Sequence, residues 1–138
     1  MSPKNRVSDS DYEMLGAFRY ALRRFLRFGE EAAREAGLTP QQHQTLLAVR
    51  STPRGRMTIG QLAERLQIRH HSAVGMVDRL SAEGLVRRQH GTEDRREVYV
   101  SLTPKGAKLL DGLASAHRDE LKRAAPELHG LLKKISGR

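Results

Sequence analysis

Between Ser10 and Ala36, apolar side chains recur at helical spacing: Leu15, Phe18, Leu22, Phe25, Leu26, Ala32, Ala33 and Ala36. Met14, Ala17, Ala21 and Phe28 form a second stripe beside the first. The pattern predicts one long helix over about 10–36, with capping candidates from Ser8 to Asp11 and a stop at Gly37. A helix apolar on two sides needs two partners, and the expected ones are the chain's own C-terminal helices and a second subunit. Thr39-Pro40 predicts the start of a second helix, which runs to about Arg50 and is expected to bury Leu46, Leu47 and Val49. The stretch from Ser51 to Arg56 contains Pro53 and Gly55 and reads as a loop.

From Ile59 to Thr103 the pattern changes its period twice. IGQLAERL, capped by Thr58, is a short helix with Leu62, Ala63 and Leu66 inward, and Ala63 is small where a second helix must cross closely. In HSAVGMVDRL the apolar residues Ala73, Met76, Val77 and Leu80 fall at i, i+3, i+4 and i+7. After Gly84, Leu85-Val86-Arg87-Arg88 begins a strand, and Val98, Val100 and Leu102 alternate with Tyr99 and Ser101 as in a half-buried strand. The turn between the strands, Gly91 to Arg96, is too charged to be buried. Thr103-Pro104 then opens a helix carrying Leu109, Leu110, Leu113, Ala116 and Leu121. Pro126 is expected to break it, leaving a short final helix with Leu128, Leu131, Leu132 and Ile135.

The fold class expected is mainly α with a small β-hairpin: a winged helix-turn-helix lobe on a helical dimerisation region. The 138 residues are in the range of one domain. Within it the lobe takes up about 38–103, and the dimerisation region is built from about 10–36 and 104–138. Only 38% of residues are hydrophobic and 4% aromatic, a thin core that favours burial of surface against a second copy. The formal charge of +9 favours polyanionic partners, but the excess is spread along the chain and does not single out a surface. With no cysteine, disulfides, thiolate metal sites and thiol redox chemistry are excluded. No apolar run is long enough to span a bilayer, and MSPKNRVSDSD lacks the apolar centre of a secretory signal, so no membrane association and a cytoplasmic location are expected.

The helix carrying HSAVGMVDRL is the candidate reading element. Its inward set leaves His71, Val74, Gly75, Asp78 and Arg79 on the other face, with Arg69 and His70 at its start. Side chains that donate hydrogen bonds at the N-terminal end suit a helix reading base edges in the major groove. Val74 could meet a thymine methyl, and Gly75 would let the backbone approach the groove floor. Arginines at the hairpin tip suit a narrow minor groove, where negative potential concentrates. Asp78 is expected either to pair with Arg79 or to leave it for phosphate.

The run TIGQLAERL…VDRLSAEGLVRR…EDRREVYVSLTPKG resembles the MarR family of winged-helix transcriptional regulators, over almost the whole chain. Its most specific pieces are VDRL-x-x-x-GLV at Val77–Val86, D-x-R at Asp94–Arg96 and LTPKG at Leu102–Gly106. The resemblance implies a homodimer on a pseudo-palindromic double-stranded operator, with one recognition helix in each major groove and wing arginines in the flanking minor grooves. On that basis Arg69, His70, His71, Ser72, Val74, Gly75 and Arg79 belong to the recognition helix, and Asp94, Arg95 and Arg96 to the wing, with Asp94 orienting Arg96. Three positions depart from the family pattern. Arg69 stands where Ser or Thr usually caps the helix, His70-His71 replaces a commoner Pro-Ser-like pair, and Gln67 replaces the Gly often found in the turn.

The family also binds small molecules between its helical base and its DNA-binding lobe. The resemblance therefore implies a ligand-responsive regulator, expected to be a repressor, with Arg19, Arg23 and His43 as candidate partners of an anionic aromatic effector. The alternative for His43 is a hydrogen-bonded core histidine. His70 and His71 are poorly placed to share a metal ion, because adjacent helical residues point about 100° apart. No metal, no cofactor and no catalytic residue are expected, since the chain has no Gly-rich phosphate loop, no nucleophile elbow and no acid/base pair. The competing reading is a non-specific architectural DNA- or RNA-binding protein using the same basic surface.

Overall fold

The computed structural model describes residues 6–137. In chain order the elements are α1 (Asp9–Glu35), α2 (Pro40–Arg50), β1 (Arg56–Thr58), α3 (Ile59–Leu66), α4 (His70–Ala82), β2 (Val86–His90), β3 (Val98–Leu102) and α5 (Pro104–Gly137). They fall into two compact units. One is Ala32–Ala114; the other is formed by the chain on either side of it, up to Glu31 and from Ser115.

The central unit is organised around one core. Leu46 and Val49 of α2, Leu62 of α3, Met76, Val77 and Leu80 of α4 and Val100 of β3 are all at most 5% exposed. Ala33, Leu38, Ala48, Met57, Leu85, Val86, Leu110 and Leu113 complete it. Helix α4 contributes the four predicted inward residues, Ala73, Met76, Val77 and Leu80, all buried. Leu47 is a correction: it is 47% exposed rather than buried. The inward face of α2 instead is centred near Val49, with Gln42, His43, Thr45, Leu46 and Ala48 about it, and Leu47 is about 160° round the helix from Val49.

Local chemistry sets the helix ends. Thr39 and Thr58 each form a reciprocal capping box, with Gln42 and Gln61 respectively. Ser8 and Asp11 make the same exchange at the start of α1, with bonds of 2.9 and 3.1 Å. Helices α1, α3 and α4 finish with a common pair of backbone bonds: Leu38 to Ala33 and Gly37 to Arg34, Ile68 to Ala63 and Gln67 to Glu64, Leu85 to Leu80 and Gly84 to Ser81. That closure puts one residue in the left-handed region. Glycine fills it after α1 and α4, at φ 84° and 75°, but Gln67 fills it after α3, at φ 57°.

The sheet has three strands, one more than the pattern predicts, in the order β1-β3-β2. Strand β1 pairs antiparallel with β3, Arg56 opposite Ser101 and Thr58 opposite Tyr99. On the other side of β3, Val86 lies opposite Leu102 and His90 opposite Val98. Paired residues share a face, so Met57, Val100 and Arg88 point one way and Arg56, Ser101 and Arg87 the other.

The second correction concerns Pro126, which lies inside a continuous α5 rather than ending it. Proline costs a helix the bond to the carbonyl four residues back, here that of Lys122. Pro126 and Lys122 are both exposed, so water can take the freed carbonyl. In the flanking unit, Arg24 pairs with Glu127 at 2.6 Å, and Phe28 meets His117 edge to face at 5.8 Å. Among the described residues, nine of the ten exposed large apolar ones lie here, Leu15, Leu22, Leu26, Leu121, Leu132 and Ile135 among them. No helix is long and apolar enough to cross a membrane among the described residues.

Candidate nucleic-acid interface

The outward face of α4 presents its donors to solvent. Arg69, His70, His71, Ser72 and Arg79 are exposed, whereas Val74 and Gly75 are half-buried. Arg69 occupies the N-cap position with extended backbone (φ −71°, ψ 152°) and makes no side-chain cap bond. The first turn of α4 therefore lacks the side-chain acceptor that Thr39 and Thr58 supply elsewhere, its Ser72 N–H donating to the Arg69 carbonyl at 3.0 Å instead, and no acidic residue lies in that turn. Unsatisfied N–H groups with the positive end of the helix dipole favour an anionic oxygen. At Gly75, a methyl group would meet only the Arg79 Nη1 atom, 3.8 Å away.

A strut runs from α4 to the sheet. Asp78 pairs with Arg88 of β2, not with Arg79. Of the two alternatives for Asp78, the neighbour contact gives way to one ten residues along, because Arg88 points to the inner face with Val100. Freed of Asp78, Arg79 stays exposed on the outward face of α4. At the other end of α4, Thr103 donates from Oγ1 to the Gly84 carbonyl at 2.6 Å, and Lys105 donates to the Glu83 carbonyl at 3.1 Å. Both contacts tie the end of α4 to the entry of α5.

The wing turn is held by its own backbone. Gly91 donates to the Glu97 carbonyl at 2.9 Å and Glu97 to the Asp94 carbonyl at 3.1 Å. A side chain at Gly91 would sit 2.6 Å from the Asp94 carbonyl oxygen, so this turn requires glycine. Asp94 grips Arg96 three times: its Oδ1 accepts from the Arg96 backbone N–H at 2.9 Å and from Nε at 3.2 Å, and its Oδ2 accepts from Nη2 at 3.2 Å. These bonds, the side-chain ones foremost, hold the Asp94 carboxyl below its ordinary value. The Arg96 side chain nonetheless stays 92% exposed, so it is held in place while its outer edge remains open. Arg95 is exposed beside it, and its carbonyl lies 2.8 Å from His90 Nδ1.

The interface residues all belong to the central unit. Of the three effector candidates, Arg19 and Arg23 are exposed on α1 in the flanking unit, and His43 is buried on α2 in the central unit. Arg88 was missed as a positioning residue. The Arg87-Arg88 pair was visible at the strand start, but which arginine faces α4 depends on the strand register.

The sequence profile of the MarR family matches residues 36–97. The HTH-type transcriptional repressor MdtR of Bacillus subtilis is 33% identical over 76 residues, which cover 55% of this chain and 48% of that protein. The chain spans a little under half the length of the first curated relatives that it matches. Among solved structures, AbsC of Streptomyces coelicolor, a MarR family transcriptional regulator, superposes with a TM-score of 0.77 at 22% identity, over 96% of this chain and 93% of that one. A mutant MarR from E. coli complexed with operator DNA superposes with a TM-score of 0.65 at 24% identity, over 86% and 89% of the two chains. Residues 36–97 thus carry the profile of the MarR family, the curated relatives are HTH-type transcriptional regulators, and the fold is shared with solved MarR family structures.

Proposed function

We propose that the chain is a sequence-specific duplex-DNA-binding transcriptional regulator that acts as a homodimer. The observation that carries this reading is the threefold grip of Asp94 on an otherwise exposed Arg96, at the tip of the hairpin that follows the open-ended α4. Helix α4 enters the major groove, with Arg69, His70, His71, Ser72 and Arg79 towards base edges and phosphates and Val74 and Gly75 at the groove floor. Arg96, with Arg95 beside it, enters the flanking minor groove. The solved complex of a related fold with operator DNA supports the reading by analogy.

Two copies are needed because one α4 reads only a half-site. The apolar surface left exposed on the flanking unit, Leu15, Leu26, Leu132 and Ile135 among it, is what a second copy covers. The regulator is read as a repressor released by a small anionic aromatic ligand. The reading predicts that aromatic carboxylates such as salicylate, and not peroxide, relieve DNA binding, since the chain has no thiol to oxidise.

Selection of duplexes from a randomised pool tests the central claim. A palindromic consensus with two half-sites about one helical turn apart is expected. Recovery of no consensus, with affinity set by salt alone, would favour the architectural reading instead.

A further inference from the structure

A groove of about 860 Å³ opens between the loop before β1, the outer face of the sheet and α3. No residue of α4 or of the wing turn lines it. It is bordered by three arginines: Arg54 from the loop, Arg56 from β1 and Arg65 from α3. Among the described residues, Glu64 is the one carboxylate that lines it. Among the described residues, none of these guanidinium groups is in an ion pair. Arg65 is steadied by Ser51 Oγ, 3.3 Å from its Nη1.

Arg56 is held in a defined plane. Its guanidinium carbon lies 4.2 Å from the centroid of the Tyr99 ring, so one face is covered by the aromatic surface. A stacked guanidinium keeps its edge N–H donors for an acceptor in that plane. The Tyr99 hydroxyl is itself tied down, donating to Glu97 Oε2 at 2.8 Å. That bond raises the hydroxyl's pKa, while Arg56 and Arg54 act in the opposite sense, so the positive field of both arginines reaches the ring. The groove thus gathers unneutralised guanidinium groups around a space of ligand size, one of them fixed before any ligand arrives.

We propose that this groove is a phosphoryl-binding site separate from the recognition helix and the wing tip. A terminal phosphoryl group offers three acceptor oxygens and up to two negative charges, which suits convergent guanidinium forks better than a carboxylate with two oxygens. The space exceeds what one phosphate fills, so the occupant is either successive phosphates of duplex DNA or a free phosphorylated molecule of nucleotide size. The first source rests on the DNA-binding reading above; the second does not.

The test uses the full chain and two probes, inorganic pyrophosphate by titration calorimetry and a selected duplex across a salt series. The variants are Arg54→Gln with Arg56→Gln, and Arg54→Gln with Arg65→Gln, which keeps the Arg56–Tyr99 stack and guards against misfolding. Arg96→Ala is the control at the wing. If a free phosphorylated molecule is the occupant, pyrophosphate binds the wild type and Arg96→Ala alike, and at least tenfold more weakly to both double variants. If DNA is the occupant, the slope of log affinity against log salt falls by about two in the double variants, close to one per phosphate contact. Either result supports the site. Pyrophosphate binding and salt slope both unchanged in the two double variants would overturn it. A wild type that binds no duplex would defeat the regulator reading, and pyrophosphate alone would then decide this one.

Discussion

Asp94 and Arg96 are joined by three hydrogen bonds across two residues, and the acidic partner is there to hold the basic one. Arg96→Ala is expected to lower duplex affinity and to reduce the salt slope by about one, with the largest loss on sites with A·T-rich flanks. Asp94→Ala removes a negative charge from a turn proposed to meet DNA, yet it is expected to weaken binding as well, because Arg96 then has to be ordered on contact. Fluorescence anisotropy of both variants on one duplex checks this; an Asp94→Ala protein that binds more tightly would show that charge repulsion dominates.

The same pair fixes a pH dependence. The Asp94 carboxyl is lowered from its ordinary value of 3.8 by its bonds to Arg96. A depressed folded value means that the pair's contribution is fully present above the ordinary carboxyl value. It is lost only as pH falls through the depressed one. The Arg96 side-chain resonances are therefore expected to stay unchanged on titration from pH 7 to about pH 4. A transition centred at the ordinary carboxyl value of 3.8 would show that the bonds seen here do not persist in solution.

The strut between Asp78 and Arg88 predicts coupling rather than stability. The Asp78 side chain is 60% exposed and that of Arg88 35%, so the pair adds at most about 1 kcal/mol to folding. Its effect should be felt in how α4 is held. Asp78→Ala and Arg88→Ala are each expected to weaken DNA binding severalfold with little change in melting temperature. The double variant should be no worse than the weaker single one. Fully additive losses in that cycle would mean that the two residues act separately on DNA.

What could be read from the chain and what could not divides along physical lines. The inward set of α4, Ala73, Met76, Val77 and Leu80, follows from helical period alone, and Thr39, Thr58 and Gly84 announce their helix ends by residue type. The wing pair was legible as D-x-R because its contact spans two residues. Strand β1 was not, since three residues carry no period and exist as a strand only through pairing with β3. Asp78 invited a partner in Arg79, whereas its contact with Arg88 depends on the register across a turn. The rule that proline ends a helix failed at Pro126, where exposure lets water replace the lost backbone bond. The groove bordered by Arg54, Arg56 and Arg65 was invisible because loop, strand and helix bring it together.

Gln67 gives a stability test with an inverted order. It holds a left-handed conformation at φ 57° and ψ 46°, where side chains other than glycine are strained by about 1–2 kcal/mol. Its amide partly compensates by donating to the Glu64 carbonyl at 2.7 Å. Gln67→Ala and Gln67→Gly both lose that bond, but only alanine keeps the strain. The glycine variant should therefore be more stable than the alanine variant by about 1 kcal/mol, against the usual ranking of the two residues. Urea denaturation of the pair checks it, and an alanine variant as stable as the glycine one would show that the turn relaxes out of the left-handed region.

Gly106 and Gly112 lie on the same helix and should respond oppositely to alanine. A Cβ at Gly106 would sit 2.1 Å from the Leu85 carbonyl oxygen and 3.0 Å from its carbonyl carbon. That oxygen cannot swing aside, because it accepts the Thr103 N–H at 3.0 Å and belongs to the segment leading from α4 into β2. Gly106→Ala must push α5 away from the end of α4, and a loss of at least about 1–3 kcal/mol is expected, as for an overpacked core. At Gly112 a Cβ would meet nothing within 4 Å. Gly112→Ala should therefore gain up to about 1 kcal/mol from helix propensity. Because Thr103 and Lys105 join the start of α5 to Gly84 and Glu83, displacement at Gly106 should also disturb α4. Duplex affinity is thus expected to fall in Gly106→Ala even at temperatures where the variant is fully folded, and to hold in Gly112→Ala. Equal melting temperatures for the two variants would mean that α5 does not approach Leu85 this closely in solution.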